Sequence, residues 1–337
     1  MRATMKPIFR TSLFCGLLLA AGCPGSGTYI VVDGAAGSVD GQGNGDGNFP
    51  TLYICDAIDI LFVIDNSDTM SEEQQNLVAN FPQFIKRIDD IEPTLTSYHV
   101  GVISTDLGAG PYEYQGTGPC LPGGDQGKLQ HQASGASGCA ASYTKFLQGP
   151  KVGLAADFAC VAELGHTGCG FEQPMESALK ALTDQAYNEG FLRANAPLAI
   201  IFIADEDDCS AADTTLYDPD DAAAGALPSR CITGSAKLHP ISRYVQAFSS
   251  LKDNAKRLVV AAITGPAGVA TIDPLTNKVN AACQSSRLGS ATPGNRFAEL
   301  VQAFGEQGVQ QSICQDDLAQ ALDVVGQAVA RACVEVH

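Results

Sequence analysis

The chain has 337 residues, 45% of them hydrophobic and 17% charged, with a formal net charge of −17 and twelve cysteines. This composition can bury a real core and excludes a wholly disordered chain. It also lacks the basic footprint that nucleic-acid binding requires, and so many cysteines exclude an ordinary reduced cytosolic protein.

At the N-terminus, Arg2, Lys6 and Arg10 surround or precede a short apolar run, residues 12–21, too short to span a bilayer as a stable helix. Ala20, Ala21 and Gly22 then lead to Cys23. This L-A-A-G-C box resembles a bacterial lipoprotein signal peptide, cut before its cysteine. The resemblance implies a signal peptide over 1–22, a lipid on Cys23 and anchoring in the bacterial cell envelope. Pro24, where Asp would retain an inner-membrane lipoprotein, points to the outer membrane. The alternative is an ordinary secretory signal with a chance cysteine. Residues 23–50 are rich in Gly and polar residues, including D-G-Q-G-N-G-D-G-N, and are expected to form a flexible tether. A single domain is expected over 51–337.

Within that domain, strands and helices alternate. Residues 58–64 are an almost unbroken apolar run, as in a strand buried on both faces. A helix is predicted over 71–89, with Leu77, Phe81, Phe84, Ile85 and Ile88 on one side. A second strand covers 97–104. Residues 106–170, rich in Gly and Cys, read mostly as loop, with a short strand near 143–148. Next come a helix at 174–187, a buried strand at 198–204, a Cys-bounded loop at 206–236 and a helix at 240–254. A strand at 257–263, a helix at 296–304, a strand at 308–313 and a helix at 316–331 complete the pattern. The expected fold is α/β: a Rossmann-like, doubly wound, mainly parallel sheet with long disulfide-braced loops.

With Cys15 in the signal and Cys23 lipidated, ten cysteines remain, an even number that fits five disulfides. No C-x-x-C occurs, which disfavours zinc ribbons and thioredoxin-like sites. Sequence cannot fix the connectivity. Cys209–Cys231 and Cys120–Cys139 would each close a local loop, and Cys55–Cys333 would clamp the domain ends.

Ligands of such folds bind at the carboxyl ends of the strands. There the sequence places Asp65-Asn66-Ser67-Asp68-Thr69, then Ser104-Thr105-Asp106, then Asp205-Glu206-Asp207-Asp208. Carboxylate and hydroxyl oxygens favour a hard divalent cation, Mg²⁺ or Mn²⁺, with Ca²⁺ as a further candidate.

The segment D-N-S-D-T, following a buried strand and preceding an amphipathic helix, resembles the start of the metal-ion-dependent adhesion site of von Willebrand factor A domains, D-x-S-x-S. Asp65 and Ser67 match, and Thr69 keeps the hydroxyl of the last Ser. Asp205, in I-A-D-E, takes the place of the family's later T-D-G aspartate. The resemblance spans about residues 55–333. It implies a metal-dependent protein-binding module whose cation completes its shell with a carboxylate from a protein partner of unknown identity. The family's Thr from the mid-domain loop has no clean match. Thr167 is nearest, and Glu172 or Asp106 could donate instead. A Glu at that place would lower the ion's appetite for a partner's carboxylate.

Each feature has a plainer alternative. Asp65 and Ser67 could cap the following helix. Asp207 and Asp208 read better as a solvated loop than as ligands. Asp213, Asp218, Asp220 and Asp221 read as plain surface ahead of a second calcium site, and the scattered histidines as structural. Enzyme readings fare poorly: Ser67 removes the second carboxylate of a D-x-D-x-T phosphotransferase, and Gly127-Lys128 lacks the rest of a P-loop. The function expected is therefore binding without catalysis. A structural envelope scaffold is the alternative, and a metal-assisted hydrolase stands behind both.

Overall fold

The computed structural model describes residues 28–31, 51–91, 95–114, 119–132, 138–221, 225–287 and 289–336. The expected signal peptide, Cys23, Pro24 and most of the expected tether lie outside these residues. In chain order the strands are β1 (Thr28–Val31), β2 (Thr51–Ile54), β3 (Ala57–Ile64), β4 (Ser97–Ser104), β5 (Leu147–Gly149), β6 (Leu198–Ile203), β7 (Leu258–Thr264), β8 (Cys283–Gln284), β9 (Ser290–Ala291), β10 (Gly308–Ser312) and β11 (Val334–Val336). The helices are α1 (Ser71–Asp89), α2 (Leu154–Ala162), α3 (Pro174–Thr183), α4 (Gln185–Asn188), α5 (Arg230–Thr233), α6 (Ile241–Ser249), α7 (Asn295–Ala303) and α8 (Ala319–Ala332).

Six strands form the central sheet in the order β10-β7-β6-β3-β4-β5. All neighbours are parallel except β4 and β5. Side chains alternate between two cores, as strand geometry requires. Ile58, Ile60, Phe62 and Ile64 of β3 pack with α1, α2 and α8 on one face. Leu61 and Val63 pack with α3, α6 and α7 on the other. A mostly parallel sheet covered by helices is the α/β, doubly wound arrangement expected from the apolar strands.

One residue interrupts the apolar run of β3. Asp59 is fully buried, and its carboxylate accepts from the Arg193 backbone N–H at 2.6 Å and from Arg193 Nε at 2.7 Å. Lys252 Nζ donates to the Arg193 carbonyl at 2.6 Å, so this buried charge is paired and the pairing is itself held.

Three sequence expectations need correction. Thr28–Val31 falls within the expected tether, yet it pairs antiparallel with β2, which in turn pairs with β11. Two backbone ladders thus bring both ends of the described chain together. Second, α2 lies within the expected 106–170 loop. Its Phe158 stacks on Phe81 at a centroid distance of 3.6 Å. Third, Cys120 pairs with Cys169 and Cys139 with Cys160, in place of a Cys120–Cys139 bridge. Cys209–Cys231 and Cys55–Cys333 form as expected, and Cys283–Cys314 makes the fifth bridge. The local-loop argument failed for Cys120 because α2 carries Cys160 to Cys139. Disulfides of this number belong to an extracytoplasmic, oxidising compartment.

Candidate functional site

The chain runs from β3 to β4 on one side and then returns to β6 on the other. The order reverses between β3 and β6, and their carboxyl ends form the crevice where doubly wound folds bind ligands. Asp65 follows β3 and Asp205 lies two residues beyond β6. The Asp65 N–H donates to the Ile203 carbonyl at 2.9 Å, which locks the two turns side by side.

Helix capping does not explain the D-N-S-D-T segment. Helix α1 starts at Ser71 with Met70 at its N-cap and no side-chain cap. Asp65 instead folds its own turn: Oδ1 accepts from the Ser67 N–H at 2.7 Å. Gln74 Nε2 reaches back from α1 to the carbonyls of Asp65 (2.8 Å) and Gly165 (2.9 Å), fixing the loop from behind. Sequence reasoning passed over Gln74, because only the fold brings Gly165 beside it.

Asp65 Oδ2 and Asp205 Oδ1 are buried without a hydrogen-bond partner. The charge of Asp205 acts on Asp65, and Ser67, Thr69 and Asp205 line one cavity. Ser67 Oγ lies 3.4 Å from Thr69 Oγ1. Asp65, Ser67, Thr69 and Asp205 are thus brought together as two carboxylates and two hydroxyls. Among the described residues no three acidic, His or Cys side chains form a closed metal cage. A buried orphan oxygen calls for an explanation, and a hard cation supplied from solution is one that this donor set fits.

Electrostatics point the same way. Burial, then the charge of Asp205, holds Asp65 well above the ordinary carboxylate range. Burial pushes Asp205 up to about 6. Glu206, crowded by surrounding loops and then by Asp205, rises to about 7. Glu172 is raised by burial and then by Glu206 and Asp65. Carboxylates gathered without a counter-charge hold protons, which a bound cation would displace.

Of the three tentative donors, Glu172 joins this cluster and is only 2% exposed. Thr167 does not: it is exposed on the 165–170 loop. That loop docks through its neighbour Gly168, whose N–H donates to the Asn66 carbonyl at 2.8 Å. A Cβ at Gly168 would come within 2.3 Å of Asn66 Oδ1, so the close approach requires glycine. Asp106 is committed elsewhere, accepting from the N–H groups of Gly108 (2.7 Å) and Cys169 (3.2 Å).

Two further polar groups near the site were not among the donors singled out from sequence. Thr105, one residue past the last rung Ile64–Ser104, is fully buried and its hydroxyl is unpartnered. Glu73, in the first turn of α1, is buried with Oε2 unpartnered, and burial followed by Asp205 raises it to about 7.

The solvated-loop reading of Asp207 and Asp208 is overturned. Asp208 is buried and accepts from the Met175 N–H, Ser210 and Arg296 Nε. Asp207 accepts from the Arg296 N–H at the start of α7. These residues tie the loop after β6 to two helices. In the following loop, the Arg230 guanidinium donates to the carbonyls of Leu216, Asp218, Asp221 and Gly225. It fills the centre of the acidic 213–221 segment with a cation of the chain's own.

The cluster opens into a cavity of about 570 Å³. Ser67, Thr69, Glu172, Asp205 and Glu206 line its polar part, and Leu227, Pro228, Ile232 and Leu238 give it apolar surface. Lys278 and Arg296 also border it.

No protein-family model and no curated protein matches the chain. Among solved structures, the conserved hypothetical protein BatB from Bacteroides thetaiotaomicron is 13% identical with a TM-score of 0.34, covering 82% of this chain and 98% of its own. An aerotolerance-related membrane protein from Bacteroides fragilis is 12% identical with a TM-score of 0.31, covering 81% and 98%. Proximal thread matrix protein 1 from the mussel byssus is 12% identical with a TM-score of 0.36, covering 86% of this chain and 49% of that one. Likeness at this level assigns no family.

Proposed function

We propose that the protein is a cation-dependent protein-binding module of the von Willebrand factor A type, anchored to the bacterial outer membrane by a lipid on Cys23. Asp65, Ser67, Thr69 and Asp205 would hold one divalent cation, Mg²⁺ or Mn²⁺. The incomplete shell would leave a position for an oxygen of a protein ligand entering the cavity, so the role is binding without turnover. The observation that carries this reading is the pair of buried, partnerless oxygens, Asp65 Oδ2 and Asp205 Oδ1, beside two hydroxyls at the crevice of the sheet.

The test is thermal melting of the purified, oxidised protein in EDTA and then in Mg²⁺, Mn²⁺ or Ca²⁺. A ligand at a hundredfold excess over its Kd stabilises by about 2.7 kcal/mol. An upward shift in wild type that Asp65→Ala lacks supports the site. Equal melting with and without every ion refutes it.

A further inference from the structure

We infer that Glu172 and Glu206 form a second subsite in the same cavity, built to receive a basic side chain, Lys or Arg, from the protein partner. This rests on the cation-loaded cavity proposed above and adds what its ligand carries.

Two other deeply buried carboxylates, Asp208 and Asp59, show what such a group needs. Asp208 is met by Arg296 at 3.0 Å and Asp59 by Arg193 at 2.7 Å. Glu172 is equally buried and lines the cavity together with Glu206, yet among the described residues neither carboxyl is paired with a cation. The backbone holds it there: the Glu172 carbonyl accepts from the Cys209 N–H at 2.8 Å, and Cys209 is bonded to Cys231. The hydroxyls that favour a metal ion sit with Asp65 and Asp205 instead.

Charge complementarity sets the sign of the occupant. With one divalent ion bound and Lys278 and Arg296 counted, the lining carboxylates Asp68, Glu172, Asp205, Glu206, Asp207 and Asp208 still leave the cavity net negative. Lys278 is exposed at its border and Arg296 is already committed to Asp208. A second anion from the partner is therefore disfavoured, and a guanidinium or ammonium is favoured. Shape agrees with this choice. Glu206 is exposed at the mouth and Glu172 is buried behind it. Leu227, Pro228, Ile232 and Leu238 give apolar surface for the alkyl stem of a long basic side chain, whose head would reach the two carboxylates. The Cys209–Cys231 bridge fastens that apolar wall to the loop carrying Glu206.

The test uses the full oxidised chain in Mg²⁺ and three capped tripeptides, Gly-X-Gly, with arginine, its neutral isostere citrulline or aspartate at the centre. Binding is followed by amide shifts, and Mg²⁺ binding by melting. The expected result is that the arginine peptide binds about tenfold or more tightly than the citrulline peptide, and that Glu206→Gln removes this preference while keeping the Mg²⁺ melting shift. Glu206 is exposed, so the variant is expected to fold, and its retained Mg²⁺ shift verifies that. Equal binding of arginine and citrulline, or tighter binding of aspartate, overturns the inference. Two Mn²⁺ per chain, with one lost in Glu172→Gln, would also overturn it by making the pair a metal site. An arginine preference that survives without any Mg²⁺ shift would refute the cation reading alone.

Discussion

Raising the pH from 5 to 8 in chelator should destabilise the protein, and a divalent cation should reverse most of that loss. Asp205 is 4% exposed and titrates at about 6 against an ordinary value of 3.8, first because it is buried. Between roughly pH 4 and pH 7 the folded chain therefore holds protons that the unfolded chain has released, so stability falls as pH rises through that window. For Asp205 alone the full shift amounts to on the order of 3 kcal/mol, of which about 1.4 kcal/mol, or roughly 3 °C in Tm for a domain of this size, falls between pH 5 and pH 8. Asp65, Glu73 and Asp207 are raised for the same first cause and act in the same direction. The lowered carboxylates, Glu176 with its Arg243 partner among them, gain most of their contribution by about pH 5, just past their unfolded values, and so offset little of it. His99 and His239, lowered by burial, act oppositely below about pH 6.5. Wild type must therefore be compared with Asp205→Asn at each pH. Calorimetric melts in EDTA should show a wild-type Tm that falls relative to Asp205→Asn as pH rises, and Mg²⁺ should close that gap in wild type only. A gap that stays constant from pH 5 to 8 would mean that Asp205 is not held protonated by its surroundings, and the argument for a missing cation would lose its electrostatic half.

Other outcomes follow from single contacts. Arg193→Ala leaves Asp59 buried and unpaired and should cost about 3–5 kcal/mol in denaturant melts, with part of the loss recovered by adding Asp59→Asn; equal stability of single and double variants would refute the pairing. Gly168→Ala drives a methyl into Asn66 and should cost about 1–3 kcal/mol while weakening the cation-induced shift in Tm. Unchanged melting there would show that the 165–170 loop yields freely. Arg230→Ala strips four carbonyls of their donor and should make the 213–230 loop the first site of limited proteolysis, while Arg230→Lys recovers only part of the protection. Cys23→Ser should move the protein from the membrane fraction to the soluble one, and unchanged fractionation would sink the lipid anchor.

The layered fold was legible because its strands are apolar on both faces. Runs such as 198–204 have no other comfortable place than the middle of a parallel sheet, and the amphipathic period of α1 and α8 supplied the covering. What escaped was local structure whose stability comes from distant partners. Helix α2 is nine residues long, too short to announce itself by periodicity, and it is held by Phe158 against Phe81 and Phe62 and by Cys160 against Cys139. The strand Thr28–Val31 adjoins Gly-rich sequence, and its ladder with β2 is a long-range pairing that composition does not register.

The site divides along the same line. Asp65, Ser67, Thr69 and Asp205 could be named from sequence because each follows directly from the end of a recognisable buried strand, and parallel strands bring their carboxyl ends together. Thr167, Glu172 and Asp106 could not be ranked, since they sit on loops whose course depends on disulfides and on one glycine. The structure settles their placement by backbone contacts. Gly168 carries the loop to Asn66 and turns Thr167 outward, the Cys209 N–H anchors Glu172 inward, and Gly108 and Cys169 occupy the oxygens of Asp106. The same contacts decide the chemistry of the cavity. On the proposed cation reading, a threonine beside Asp65 and Asp205 would leave a loaded ion with charge to spare for an acidic ligand, whereas Glu172 would take that charge away. On that reading, a buried carboxylate near the ion in place of a neutral hydroxyl would change which partner the crevice accepts, without moving the two strands that build it.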